Sequence, residues 1–157
     1  MLTPEIASDV VAQCQVACGE IGQALSRPFG SPFEVALSES TTLRYVDPTE
    51  QLESPGVVIT LHFGLAAMAI LVPQSRGLLP RGYDSADSKS QSKLTTLAQE
   101  LGMLVLPEAL LAEDAHGYCV ANLADALREG AADEDASVVT LSLRSAGKQG
   151  EALIIWP

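Results

Sequence analysis

The side chains able to do chemistry in this sequence fall into three small groups. Glu20 and Gln23 are spaced i, i+3, and Thr96, Glu100 and Met103 are spaced i, i+4 and i+7. On a helix these spacings place each group on one flank. A carboxylate beside an amide positions a water for in-line attack on a phosphoryl group, chemistry that depends on orientation more than on covalent help. In the second group only Glu100 can do acid or base work. Such residues are also ordinary on a solvated helix face. The third group is metal-like: Cys14 and Cys18 are one helical turn apart, and His116 and Cys119 are spaced i, i+3. Zinc accepts both residue types. The spacings match no common zinc module, however, and free cysteine on an apolar stripe behaves as a small hydrophobe. His62 alternates with Thr60, and local sequence sets no serine or cysteine nucleophile beside it. The chain has neither the phosphate-binding glycine loop nor the dinucleotide fingerprint. The candidate catalytic residues are therefore Glu100, Glu20 and Gln23, with no metal site and no cofactor expected.

These residues need helices to carry them. Thr3-Pro4-Glu5 supplies a capping hydroxyl, a proline for the first helical position and an acid for the positive dipole end. Ile6, Val10, Cys14, Cys18, Ile21 and Leu25 then form one apolar stripe, predicting a single helix that ends near Arg27, before Pro28 and Gly30. Asp9, Gln13, Glu20 and Gln23 fall on its opposite face. A second helix is predicted from about Lys93, with Leu94, Leu97, Leu101 and Leu104 as its stripe, Glu100 on its flank and Pro107 interrupting it. A third helical segment, about Tyr118 to Arg128, leads into the acidic loop Asp133 to Asp135.

Strands come between. Phe33 to Leu37 alternates as a half-buried strand does, and Leu43 to Val46 is a candidate continuation. Val57 to Phe63, a Gly64-Leu65 turn and Ala66 to Val72 read as a hairpin ending at Pro73. Val138 to Leu143, a Gly147 to Gly150 loop and Glu151 to Trp156 repeat that hairpin and end at Pro157. Each hairpin follows an amphipathic helix at a similar distance. The expected fold is α+β with two layers, an antiparallel sheet built from two helix-plus-hairpin pseudo-repeats. It forms a single domain over residues 1–157, with halves of about 1–80 and 90–157. The polar, serine-rich run 83–92 between them is expected to be a loop.

Composition limits the function. The 157 residues are 47% hydrophobic, enough for one good core. A net charge of −11 with only nine lysines and arginines leaves no basic stripe for nucleic acid or an anionic membrane surface. A neutral or basic protein partner fits better. Three cysteines make no disulfide framework. No apolar stretch approaches the ~20 residues of a membrane span, and the N-terminus lacks the order of a secretory signal. A cytoplasmic protein is expected.

Leu97-Ala-Gln-Glu-Leu-Gly-Met103 resembles the signature helix of the CheC and CheX chemotaxis phosphatases, where Ser or Asp is followed by Glu at four residues and by Asn three later. Thr96 and Glu100 match it, and Met103 replaces the asparagine. Ala24-Leu-Ser26 before Pro28, with the strand that follows, resembles the same family and the related middle domain of the FliM flagellar switch protein. Aligned there, the glutamate position falls on Ala12 and the asparagine position on Gln15. The resemblance implies a CheC-like domain. In that family the asparagine orients water against the aspartyl phosphate of a CheY-type response regulator, and a thioether cannot donate the hydrogen bond this needs. It thus implies a protein-interaction module of bacterial chemotaxis or flagellar signalling with a broken catalytic motif, whose partner is a response regulator or flagellar switch component. Two alternatives stay open. One is an active aspartyl-phosphate phosphatase using Glu100, or Glu20 with Gln23. The other is an acidic secretion-type chaperone, suggested by size and charge.

Overall fold

The computed structural model describes residues 4–46, 52–63, 66–74, 88–106, 113–129 and 135–156. In chain order the elements are α1 (Pro4–Val16), α2 (Cys18–Phe29), β1 (Glu34–Thr42), β2 (Gly56–Phe63), β3 (Ala66–Pro73), α3 (Ser88–Val105), β4 (Asp114–Val120), α4 (Leu123–Glu129), β5 (Ser137–Ser145) and β6 (Lys148–Trp156). A short 3-10 turn, Leu43–Tyr45, follows β1.

The apolar stripe of the first helix runs where its spacing predicts. Val10, Cys14, Ile21 and Leu25 are buried, and Ala17 joins them. The helix itself is two segments. Ala17 sits at φ −90° and ψ 4°, in the sparsely populated bridge region. Backbone bonds still span the joint, from Ala17 N–H to Gln13 O and from Ile21 N–H to Ala17 O. The stripe therefore continues through the break. Gly30 ends α2 at φ 74°, donating its N–H to the Ser26 carbonyl, the left-handed cap that glycine adopts without a Cβ penalty.

All strand pairings are antiparallel, in the order β1-β5-β6-β3-β2-β4. The hairpins β2-β3 and β5-β6 meet at the centre through β3 and β6. Each half then lends its first strand to the other half: β1 pairs with β5, and β4 with β2. The order is symmetric under exchange of the halves, and the α+β sheet expected from the helix-plus-hairpin repeat is present.

Alternation sorts the two sheet faces. Val57, Ile59, Leu61, Met68, Ile70, Leu141, Leu143, Ile154 and Trp156 face the layer of α1, α2 and α3 and form the main core with Leu25, Leu94, Leu97 and Leu101. Val58, Leu71, Val138, Leu153 and Ile155 face the other way. A smaller cluster covers them, with Leu52, Leu123 and Ala124.

Several predicted elements are corrected. The segment opening the expected third helix is strand β4, and only Leu123–Glu129 is helical. Pairing with β2 holds Tyr118 to Val120 extended, and at Gly117 an added Cβ would lie 2.8 Å from Ile59 Cδ1 and 3.2 Å from Leu94 Cβ, so the bare backbone lets α3 settle onto the strand. Leu43 to Val46 leaves the sheet in the 3-10 turn. The serine-rich run is not all loop, because Ser88–Ser92 forms the first turns of α3. Ser90 is buried there, and Gln91 Nε2 donates to Gly117 O at 3.0 Å. The second hairpin turns more tightly than expected, on Ala146 and Gly147 at φ 50° and 78°. Two positive φ values match the right-handed twist of flanking strands. Thr3, the Gly64-Leu65 turn, residues 83–87, Pro107, Asp133–Glu134 and Pro157 lie outside the described residues.

Candidate functional site

Helices α2 and α3 lie side by side on the sheet, their buried stripes Ile21, Ala24, Leu25 and Leu94, Leu97, Leu101 turned inward. Their outer flanks leave an open groove of about 200 Å³, lined among others by Ala24, Arg27, Lys93, Thr96, Leu97 and Glu100. Ala24 and Leu97 are its apolar part. Arg27 and Lys93 bring two cations into an acidic protein.

Glu100 reaches across the groove. Its Oε2 accepts a charge-assisted hydrogen bond from Arg27 Nη1, with the side chains 30% and 64% exposed respectively. Thr96 Oγ1 donates back to the Ser92 carbonyl of its own helix at 3.1 Å. One turn beyond Glu100, Met103 is 81% exposed. The flank from Thr96 to Met103 thus presents an engaged carboxylate, an engaged hydroxyl and a bare thioether.

The three predicted catalytic residues are not gathered into one site. Glu100 lines the groove, while Glu20 and Gln23 are exposed on α2 outside its lining. Ala12 and Gln15, the positions matched to the signature in the first half, are exposed on α1 beside Val16, itself 83% exposed. Gln13 is not simply a solvated residue, since its Nε2 donates to the Leu104 carbonyl of α3 at 3.1 Å. That bond ties α1 to α3.

The cysteine pairs are not ligand sets. Cys14 is in the core, where burial first and the neighbouring Cys18 second push its thiol up to about 12. Cys18 is also raised by burial, and its thiol donates to the Cys14 carbonyl at 3.2 Å. Cys119 packs against the main core, on the opposite face of β4 from His116. His116 instead lies near His62 and Asp114. The imidazole centroids are 5.7 Å apart, and Asp114 Oδ2 is 3.6 Å from His116 Nδ1. Reading Asp114–Val120 as a strand would have put Asp114 and His116 on one face, and His62 joins them only through the register of β2 on β4.

No family model and no curated protein sequence matches the chain. Solved structures do. FliM in the FliM–SpeE complex from H. pylori is 13% identical over 100% of this chain and 90% of that one, with a TM-score of 0.63. The FliM middle domain from H. pylori gives 13%, 99%, 94% and 0.59. FliY from Thermotoga maritima gives 12%, 99%, 91% and 0.54. The chain has the FliM-like fold. At this identity the likeness lies in the path of the backbone, and it bears out the fold that the helix motifs implied. Within the FliM-like fold, the groove and the Met103 flank belong to the helical layer. No helix among the described residues is long and apolar enough to cross a membrane.

Proposed function

We propose that this is a protein-binding domain of bacterial chemotaxis or flagellar-switch type, working through the outer surface of its helical layer and without phosphatase turnover. On this reading residues 1–157 act as one cytoplasmic domain with halves of about 1–80 and 90–157. One observation carries the proposal: where the resembled signature has a glutamate followed three residues later by an asparagine, Glu100 is held by Arg27 and Met103 offers only a thioether. A thioether is a weak acceptor and no donor, so it cannot orient an attacking water. An exposed methionine does suit a protein contact, being flexible and polarizable. H. pylori FliM has been solved in complexes with FliG and with SpeE, which supports looking among proteins of that kind. The charge of −11 adds a preference for neutral or basic surfaces.

The experiment has two arms. Adding the protein to phosphorylated CheY-type response regulators should leave their dephosphorylation rate unchanged. Titration against FliG-type switch proteins and response regulators should reveal saturable binding that Met103→Asp weakens. Accelerated dephosphorylation, abolished by Glu100→Ala in a folded protein, would overturn the noncatalytic reading. Binding indifferent to Met103→Asp would overturn the assigned surface.

A further inference from the structure

The chain has two histidines, one in each half, and the fold brings them together. In the β2-β4 pairing His62 stands opposite Asp114 and Thr60 opposite His116. Alternation puts these side chains on the face turned away from α1, α2 and α3. The imidazole planes are inclined by 21°, and Tyr118 extends the stack, its ring 6.2 Å from that of His116 at 25°. One ligating atom each from His62, Asp114 and His116 lies within 4.8 Å of the others.

We propose that His62, Asp114 and His116 form a binding site for a divalent transition-metal ion of the zinc class, independent of the helical surface. Two imidazoles and one carboxylate suit borderline ions, whereas calcium and magnesium take mainly oxygen ligands. Zinc bonds to nitrogen and oxygen run to about 2.0–2.2 Å, so tetrahedral donors stand roughly 3.3–3.6 Å apart. Reaching that from 4.8 Å requires closure of somewhat over an ångström. Side-chain rotation can supply it, because the His116 and Asp114 side chains are 41% and 68% exposed rather than locked in a core. The stack on Tyr118 limits the ring orientations His116 explores. Three protein ligands leave a fourth position for water or for a partner's side chain. Because, among the described residues, β4 is an edge strand hydrogen-bonded to the sheet through β2 alone, a bound ion would clip that edge in place.

Tag-free protein titrated with zinc chloride should take up one ion per chain by calorimetry. The imidazole proton signals of both histidines should shift over the same stoichiometric range. His62→Ala and His116→Ala should each weaken zinc affinity by about tenfold or more, given that changes even outside the ligand shell cost about 10–100-fold. Replacing Cys18 and Cys119 by serine should leave the affinity unchanged. Zinc should also raise the melting temperature of the parent protein and not of the histidine variants. Affinity unaltered by both histidine variants, or lost in the cysteine variant, would overturn the proposal. So would zinc binding by the parent protein that leaves both histidine signals in place, a result that requires no variant to fold.

Discussion

Gly22 is where α2 comes closest to the sheet. A Cβ built on it would lie 2.4 Å from the carbonyl oxygen of Phe33, with Val35 Cγ2 beyond at 3.5 Å. Carbon-to-oxygen contacts ordinarily lie at about 3.3 Å or more, so Gly22→Ala must separate α2 from the start of β1 by roughly 0.9 Å. The obstacle is backbone, which cannot rotate aside. Overpacking of a well-filled interior costs about 1–3 kcal/mol, and the upper part of that range applies here. Alanine returns up to about 1 kcal/mol of helix propensity. The net expectation is a loss of about 1–2 kcal/mol, or roughly 2–8 °C in melting temperature for a domain of this size. Gly19 on the same helix provides the control, since nothing lies within 4 Å of its Cβ position and its φ is not positive. Gly19→Ala should raise stability by up to about 1 kcal/mol. Urea unfolding followed by circular dichroism measures both. The same substitution three residues apart must shift the midpoint in opposite directions; a Gly22→Ala protein as stable as its parent would refute the close approach.

Ala146 occupies left-handed backbone before Gly147, so Ala146→Asn should stabilise the β5-β6 turn by about 0.5–1 kcal/mol, measurable as a rise in urea midpoint. Leu94 is fully buried between α3 and β4, and Leu94→Ala should cost about 2–5 kcal/mol on the same assay. Burial, and secondarily the neighbouring Cys18, push the folded Cys14 thiol from its ordinary 9.0 up to about 12. Below pH 9 both states hold the proton; above it the unfolded chain releases the proton first, so stability should fall progressively from pH 9 toward 12. Cys14→Ala should flatten that part of a pH series of urea midpoints. Thiol-reactive dyes should label Cys18 and Cys119 before the buried Cys14.

The hairpins were legible because Val57 to Phe63 and Val138 to Leu143 are β-branched, apolar runs bounded by turn residues, a local signal. The stripes of α2 and α3 were legible for the same reason, and they placed Glu100 on an outer flank. Strand β4 was not, since Asp114, Ala115 and Gly117 at its start and middle have little strand preference of their own. Their extended form comes from pairing with β2 and from the space Leu94 needs. Nor could spacing along one helix reveal that Arg27 holds Glu100 or that Gln13 bonds Leu104, because each partner sits on another element. The histidine cluster was missed twice over. It required both the correct assignment of 114–120 and the register between strands from different halves.

The exchange of first strands has a consequence for how the chain is made. As the protein leaves the ribosome, β1 emerges long before its partner β5, and the β2-β3 hairpin precedes both β4 and β6, which border it. The early half thus presents unpaired strand edges and the apolar face of Ile59, Leu61 and Ile70 while synthesis continues. Final assembly must wait for contacts between residues distant in sequence, which places this domain among slow folders. A stop codon after the first half would leave every outer edge of its hairpin open, and the fragment should aggregate unless the second half is supplied in trans.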